Sequence, residues 1–275
     1  MQTIEQERQI AGIHLIPVRR ADLDSNGHVN NGTYQSYFEE ARIRFLETLT
    51  DHNTEGGPSW KKWKILRSEV EYKAELKYKE EINIQTYIDS KQDETIILVQ
   101  EMYRVSDSAL VAKASFAMGN GRQTEPRYFQ KENYQYAYYH QVNVGWADMN
   151  DEACADLAQL QYYLDDARIR SFIQSGFDLD SLREKGIGPL IYKAEFQYFH
   201  KICFPDELVI TTVYEKTAKN RFRFVHEMYS KSDRRLLLSA FVYGFFMDLK
   251  RKRPYQFDEE EVVKLFKTER PSPFA

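Results

Sequence analysis

The sequence predicts an α+β protein of two fused units, each a long central helix wrapped by a mostly antiparallel sheet. Three observations predict it: an internal repeat, one amphipathic helical segment per copy, and a run of strand-type segments after each helix. Shifting the 275-residue chain by 126 places lays Ala21-Asp22 on Ala147-Asp148, Tyr37 on Tyr163 and Ala41-Arg42-Ile43-Arg44 on Ala167-Arg168-Ile169-Arg170. The same shift puts Glu69 on Glu195, Tyr72 on Tyr198, Ile84 on Ile210 and Glu101-Met102-Tyr103 on Glu227-Met228-Tyr229. A gapless register over about 100 residues means two copies of one unit with matching element lengths. They meet in the polar, tyrosine-rich stretch Gln130 to Tyr139, which assigns residues 1–132 to the first unit and 133–275 to the second.

Within the first copy, Ile13 to Arg20 reads as a short strand. Gly27 then supplies a flexible turn, and Asn30 and Asn31 are N-cap residue types ahead of a helix. In that helix Tyr34, Phe38, Ala41, Phe45 and Leu49 recur at spacings of three and four, while Glu39, Glu40, Arg42 and Glu47 fill the other face. The second helix is expected to begin near Asp156. Four strands should follow: Ile65 to Leu76, Ile82 to Ile88 with apolar and polar residues alternating, Thr95 to Val105, and Leu110 to Met118. A β-α-β-β-β-β unit of this kind can bury the apolar face of one antiparallel sheet against its single helix. The many Tyr and Phe in these strands are read as sheet and core packing.

Composition narrows the function. Thirty-eight Lys and Arg against 42 Asp and Glu leave a net charge of −4, which disfavours nucleic acid as a partner because phosphate binding needs clustered cations. No segment approaches the about 18 consecutive apolar residues of a membrane span, and none near the start resembles a signal-peptide core. Cys154 and Cys203 are too few for a disulfide framework and lack zinc-ligand spacing, so a reducing cytoplasm is expected.

The chemistry concentrates in Asp22-Leu-Asp-Ser-Asn-Gly-His-Val-Asn-Asn at the strand-to-helix turn. Asp24, Asn26 and His28 alternate, so an extended backbone would aim them to one side, just ahead of a helix N-terminus. Unpaired amides and the dipole at such an end can hold an oxyanion. A carboxylate beside them could activate water or attack directly, with His28 sharing proton transfer and Asn26 orienting a neighbour. That constellation suits acyl transfer to water.

The pattern Arg20-x-Asp22-x-Asp24-x-x-Gly27-His28-Val29-Asn30-Asn31-x-x-Tyr34-x-x-Tyr37-Phe38-Glu39-Glu40-Ala41-Arg42 resembles the signature of hotdog-fold acyl-CoA thioesterases related to hydroxybenzoyl-CoA thioesterase. It is also similar to the tandem-hotdog acyl-ACP thioesterases, whose Asp-x-Asn-x-His motif falls on Asp24, Asn26 and His28. Their further glutamate, in a Tyr-x-x-Glu pattern, falls on Glu75 of Tyr72-Lys-Ala-Glu75, although the stretch from His28 to Tyr72 is longer than that family's.

The resemblance implies two hotdog units and hydrolysis of an acyl thioester of CoA or acyl carrier protein, with water as co-substrate and neither cofactor nor metal. It implies Asp24 as base or nucleophile, His28 and Asn26 as positioning groups, Glu75 as a helper, and Asn30, Asn31, Gly32, Thr33 and Tyr34 as the substrate-binding helix start. The chain would be an intramolecular pseudo-dimer, with assembly of whole chains into a homodimer left open.

The second copy keeps the helix and sheet residues and loses the reactive ones. Asp24 becomes Asn150, Asn26 becomes Glu152, Gly27 becomes Ala153, His28 becomes Cys154, Asn30 becomes Asp156, Asn31 becomes Leu157 and Glu75 becomes Lys201. One active site per chain is therefore expected, in the first unit, whereas the plant enzymes keep their motif in the second. Cys154 is expected to pack as an ordinary small residue. Arg42 and Arg44 persist as Arg168 and Arg170, which points to structural work.

Other readings compete. Asp22, Asp24, Asn26 and Gly27 follow the opening of an EF-hand loop, but its twelfth position is Thr33, and Pro17 breaks the incoming helix. Lys250-Arg251-Lys252-Arg253 is expected to be a solvated strand exit. A module that binds acyl-CoA without cleaving it, or an enoyl-thioester hydratase, would share the scaffold, and release of free thiol separates hydrolysis from both.

Overall fold

The computed structural model describes residues 12–25, 27–51, 63–92, 95–120, 128, 137–218, 221–257 and 274. The chain falls into two compact units, Met1–Arg122 and Gln123–Ala275. The expected boundary at 132/133 lies outside the described residues.

The first unit runs β1 (Gly12–Pro17), α1 (Asn31–Asp51), β2 (Lys64–Tyr72), β3 (Glu81–Gln92), β4 (Thr95–Arg104) and β5 (Leu110–Gly119). Its sheet has the order β1-β3-β4-β5-β2 with every described neighbouring pair antiparallel. Alternation sets the buried face: Ile82, Ile84 and Thr86 on β3 and Ile96 and Leu98 on β4 are fully buried. On α1, Tyr34, Tyr37, Phe38, Ala41 and Phe45 are buried, and the Phe38 ring meets Phe116 of β5 edge-on at 6.3 Å.

Three local readings differ. The strand expected from Ile13 to Arg20 ends at Pro17, and Arg20–Asp22 forms a 3-10 turn closed by the Arg19 N–H donating to Asp22 Oδ2 at 2.7 Å. The strand expected to reach Leu76 ends at Tyr72, because the Lys73 and Ala74 amides both turn to the Val111 carbonyl, at 2.8 and 3.1 Å. Arg42, expected on the polar side of α1, is 3% exposed, with its guanidinium 4.4 Å above the Phe116 ring. The buried arc of the helix is wider than the apolar stripe because a flat cation can lie on an aromatic face.

The second unit runs β6 (Tyr138–Asn143), α2 (Leu157–Gln174), α3 (Leu179–Glu184), β7 (Ile187–Tyr198), β8 (Glu207–Ala218), β9 (Arg221–Ser230), β10 (Leu236–Asp248) and β11 (Arg253–Pro254). Its sheet order is β6-β8-β9-β10-β7, with β11 on β10. At the shift of 126, β6, β8 and β9 match β1, β3 and β4 residue for residue. Arg168 is again buried, with its guanidinium 5.6 Å over the Phe224 ring. In the second unit Gly176, at φ +80°, follows the end of α2, and Asp178 caps α3 by accepting from the Ser181 amide at 2.9 Å. Lys250-Arg251-Lys252-Arg253 occupies exposed positions from the turn after β10 into β11. Among the described residues no helix is long and apolar enough to cross a membrane.

Candidate active site

The turn between the 3-10 segment and α1 closes on itself. Leu23 bridges Val29, the Asp24 amide donates to the His28 carbonyl at 2.8 Å, and the Gly27 amide donates to the Asp24 carbonyl at 3.0 Å. Gly27 sits at φ +78°, the left-handed region where a glycine is least strained. Within this turn Asp24 Oδ1 accepts the His28 N–H at 3.3 Å, so the carboxylate is held against the backbone of the histidine. Both side chains are partly exposed. Asn26 lies outside the described residues.

The structure brings Glu75 to this turn. The Val29 amide donates to the Leu76 carbonyl at 2.9 Å, which lays the irregular segment after β2 beside the loop. Glu75 Oε2 then lies 3.1 Å from His28 Nε2. Lys77, which sequence reasoning did not single out, holds the other carboxylate oxygen at 2.8 Å. The Lys77 bond is the chief reason the Glu75 carboxyl sits below its ordinary range, and His28 adds to it, so Glu75 is an anion at neutral pH. Its signal in the sequence is slight: Glu75 and Lys77 are two apart in a segment with no regular period. A carboxylate on Nε2 fixes the ring and leaves Nδ1 as the nitrogen available to a substrate.

At the helix start, Asn30 is the cap. Its side-chain oxygen accepts the Gly32 amide at 2.8 Å and its carbonyl accepts the Thr33 amide at 2.9 Å. The Tyr34 amide also donates to the Asn30 carbonyl at 3.4 Å, and the Asn30 amide to the Asp22 carbonyl at 3.1 Å, so four of the five amides expected to face substrate are engaged, leaving Asn31 as the opening residue of α1. Thr33 Oγ1 donates to the Asp22 carbonyl at 3.4 Å and the Tyr34 hydroxyl to the Ala74 carbonyl at 3.2 Å. These two side chains hold the site's walls together.

Behind the turn, Asp22 is buried and accepts the Tyr37 hydroxyl at 2.6 Å and the Arg19 guanidinium at 2.8 Å. Burial pushes its carboxyl up, but the bonds from Arg19 and Tyr37 outweigh that and hold it below the usual range. Burial, with Asp22 beside it, pushes the Tyr37 phenol well above its ordinary value. The second unit repeats the pair, with Tyr163 donating to Asp148 Oδ2 at 2.5 Å. A contact kept in both copies belongs to the fold.

The second unit also repeats the turn without its charge. The Asn150 amide donates to the Cys154 carbonyl at 2.8 Å, and Asn150 Oδ1 accepts the Cys154 amide at 3.2 Å and the Glu152 amide at 3.0 Å. Even the left-handed residue is kept, as Ala153 at φ +57°. An amide oxygen therefore does at 150 the structural work that the carboxylate does at 24. The backbone turn is therefore made both with a carboxylate and with an uncharged amide at this position.

A family model described as the thioesterase-like superfamily matches residues 18–125 and 142–265. Among solved structures, the chain is similar to a provisional oleoyl thioesterase from Lactobacillus plantarum, at 8% identity and TM-score 0.65, over 85% of this chain and 95% of that one. It is similar to the 12:0-ACP thioesterase from Umbellularia californica, at 9% identity and TM-score 0.61, over 88% and 94%. An acyl-ACP thioesterase from Bacteroides thetaiotaomicron aligns at 12% identity and TM-score 0.57, over 85% and 97%. No curated protein sequence matches. Identities this low carry the fold, two hotdog units in one chain, and leave substrate to the site.

Proposed function

Because the chain belongs to the thioesterase-like superfamily through both of its units, we propose that it hydrolyses an acyl thioester of CoA or acyl carrier protein, using one site in the first unit. The observation that carries this reading is the Asp24 carboxylate held 3.3 Å from the His28 amide, where the second unit makes the same turn with an uncharged Asn150. Asp24 takes a proton from water as the water oxygen adds to the thioester carbonyl, or it adds to that carbonyl itself and water then cleaves the anhydride. The carbon–sulfur bond breaks, the sulfur leaves as thiol with the returned proton, and the free acid is released.

His28, fixed through Nε2 by Glu75, offers Nδ1 to the substrate. Asn26 orients its neighbours in the turn, and the Asn31 end of α1 supports the developing oxyanion. The chemistry calls for no cofactor. The three neighbours' descriptions, an oleoyl and two acyl-ACP thioesterases, support an acyl thioester as substrate.

The test measures free thiol release by the purified chain over a panel of acyl-CoA and acyl-carrier-protein substrates of graded acyl length. Release from at least one member supports the reading. Binding without release, or hydration of an enoyl thioester without release, overturns it.

A further inference from the structure

The copy of the site in the second unit holds two thiols. Cys154 stands where His28 stands and Lys201 where Glu75 stands, while Cys203, 49 positions from Cys154, comes within 4.0 Å of it, sulfur to sulfur. The backbone sets this distance. The Ala155 amide donates to the Ile202 carbonyl at 2.9 Å, so the two chain segments are tied one residue away from both cysteines. Each segment is further pinned: Asn150 Oδ1 accepts the Cys154 amide at 3.2 Å, and Asp206 Oδ2 accepts the Cys203 amide at 2.8 Å. Cys154 is buried, and Cys203 is partly exposed and open to a small oxidant. The Lys201 ammonium, paired with Glu152 at 2.9 Å, is the cation of the cluster.

We propose that Cys154 and Cys203 are an oxidisable dithiol, converted by a peroxide to a disulfide that ties the turn before α2 to the turn after β7. Sulfurs 4.0 Å apart need to close by about 2 Å to reach bonding distance, within the reach of side-chain rotation at a tied backbone. In the first step one sulfur, as thiolate, attacks an oxygen of hydrogen peroxide; the O–O bond breaks, giving a sulfenic acid and hydroxide, which takes up the proton the thiol gave up. In the second step the other sulfur attacks the sulfenic sulfur, forming the S–S bond and expelling the second water. Two thiols and one peroxide become one disulfide and two waters.

Burial, then Cys154 and Asp206 nearby, push the Cys203 thiol up, while Lys201 pulls the other way, so oxidation speeds up as the pH is raised. The pair is independent of the reading of the first unit, and its oxidation can be followed without any thioester.

The experiment treats the full chain with hydrogen peroxide, counts free thiols after denaturation, and maps peptides without reductant. The expected result is a fall from two thiols to none in a monomeric chain, a cross-linked peptide pair carrying Cys154 and Cys203 and lighter by two hydrogens than the separate peptides, and return of both thiols with dithiothreitol. Cys203→Ser should yield no such pair. Retention of both thiols under conditions that oxidise free glutathione overturns the proposal, as does separate oxidation of each sulfur to a sulfinic acid or cross-linking only between chains.

Discussion

Replacing His226 by glutamine should remove an acid-side loss of stability while leaving the fold in place. His226 lies on β9, fully buried, with Nδ1 3.0 Å from Thr212 Oγ1 and its ring stacked on Phe224. Burial above all, and then the Arg168 cation nearby, hold its imidazole well below the ordinary value, with the Thr211 carbonyl pulling weakly the other way. In the unfolded chain the same group titrates near about pH 6.5. A folded value below the unfolded one means that the unfolded state takes up the proton first, so stability falls as the pH drops below about 6.5. For a group that stays neutral in the native state, the loss between about pH 7.5 and 5.5 is about 1.4 kcal/mol.

The first unit shows that glutamine fits this position. Gln100 occupies the equivalent place and donates from Nε2 to Thr86 Oγ1 at 3.0 Å. The assay is urea unfolding of parent and His226→Gln at about pH 7.5 and 5.5, where the variant's loss should be smaller by about 1.4 kcal/mol. The other five histidines are present in both proteins and cancel in the difference. An identical pH dependence in the two would mean that His226 is not held neutral in the folded chain.

Tyr37→Phe removes one donor from the buried Asp22 and should cost about 1–3 kcal/mol in urea unfolding at neutral pH. The depressed folded value of Asp22 gives stability that is complete above about pH 4 and lost as the pH falls through that folded value; removing the donor raises it, so acid titration of the variant should show unfolding at a higher pH. Phe38→Ala empties a fully buried ring site and should cost about 3–5 kcal/mol, read as a fall in the urea midpoint. Glu75→Gln should lower kcat for thiol release by about tenfold to a hundredfold through loss of the His28 orientation. It should change stability by less than about 1 kcal/mol, because the pair with Lys77 is exposed, and a matching loss of stability and rate would contradict the positioning role.

Much of this was legible in the chain because the repeat fixes element lengths twice. The match of β6, β8 and β9 to β1, β3 and β4 at a shift of 126 is the register read from Ala21, Tyr37 and Glu101 and their partners. Asp156 caps α2 as its position suggested, by accepting the Gln159 amide at 2.7 Å. What periodicity could not give was the fate of single polar groups. Arg42 reads as a charged helix face until Phe116 is placed beneath it. Glu75 reads as the end of a strand until the Val111 carbonyl gathers two amides and frees the segment to meet His28. Both outcomes rest on partners far away in sequence.

Within the candidate site the pattern pointed to Asp24, Asn26, His28 and Glu75; the structure places Glu75 against the His28 ring and Asp24 on the His28 amide, while Asn26 lies outside the described residues. The structure engages the Gly32 and Thr33 amides in the Asn30 cap, a local competition that spacing alone does not reveal. The nearness of Cys154 to Cys203 was likewise invisible, since it depends on the Ala155 to Ile202 bond between distant segments.

The turn needs an oxygen at position 24, and the proposed hydrolysis needs that oxygen to carry a charge. Asp24→Asn tests this most directly, because Asn150 already makes the same turn. Measured by thiol release on the best substrate of the panel, its turnover should fall by about 10²- to 10⁴-fold with the unfolding midpoint unchanged. Turnover equal to that of the parent chain would show that the charge at position 24 takes no part in the reaction.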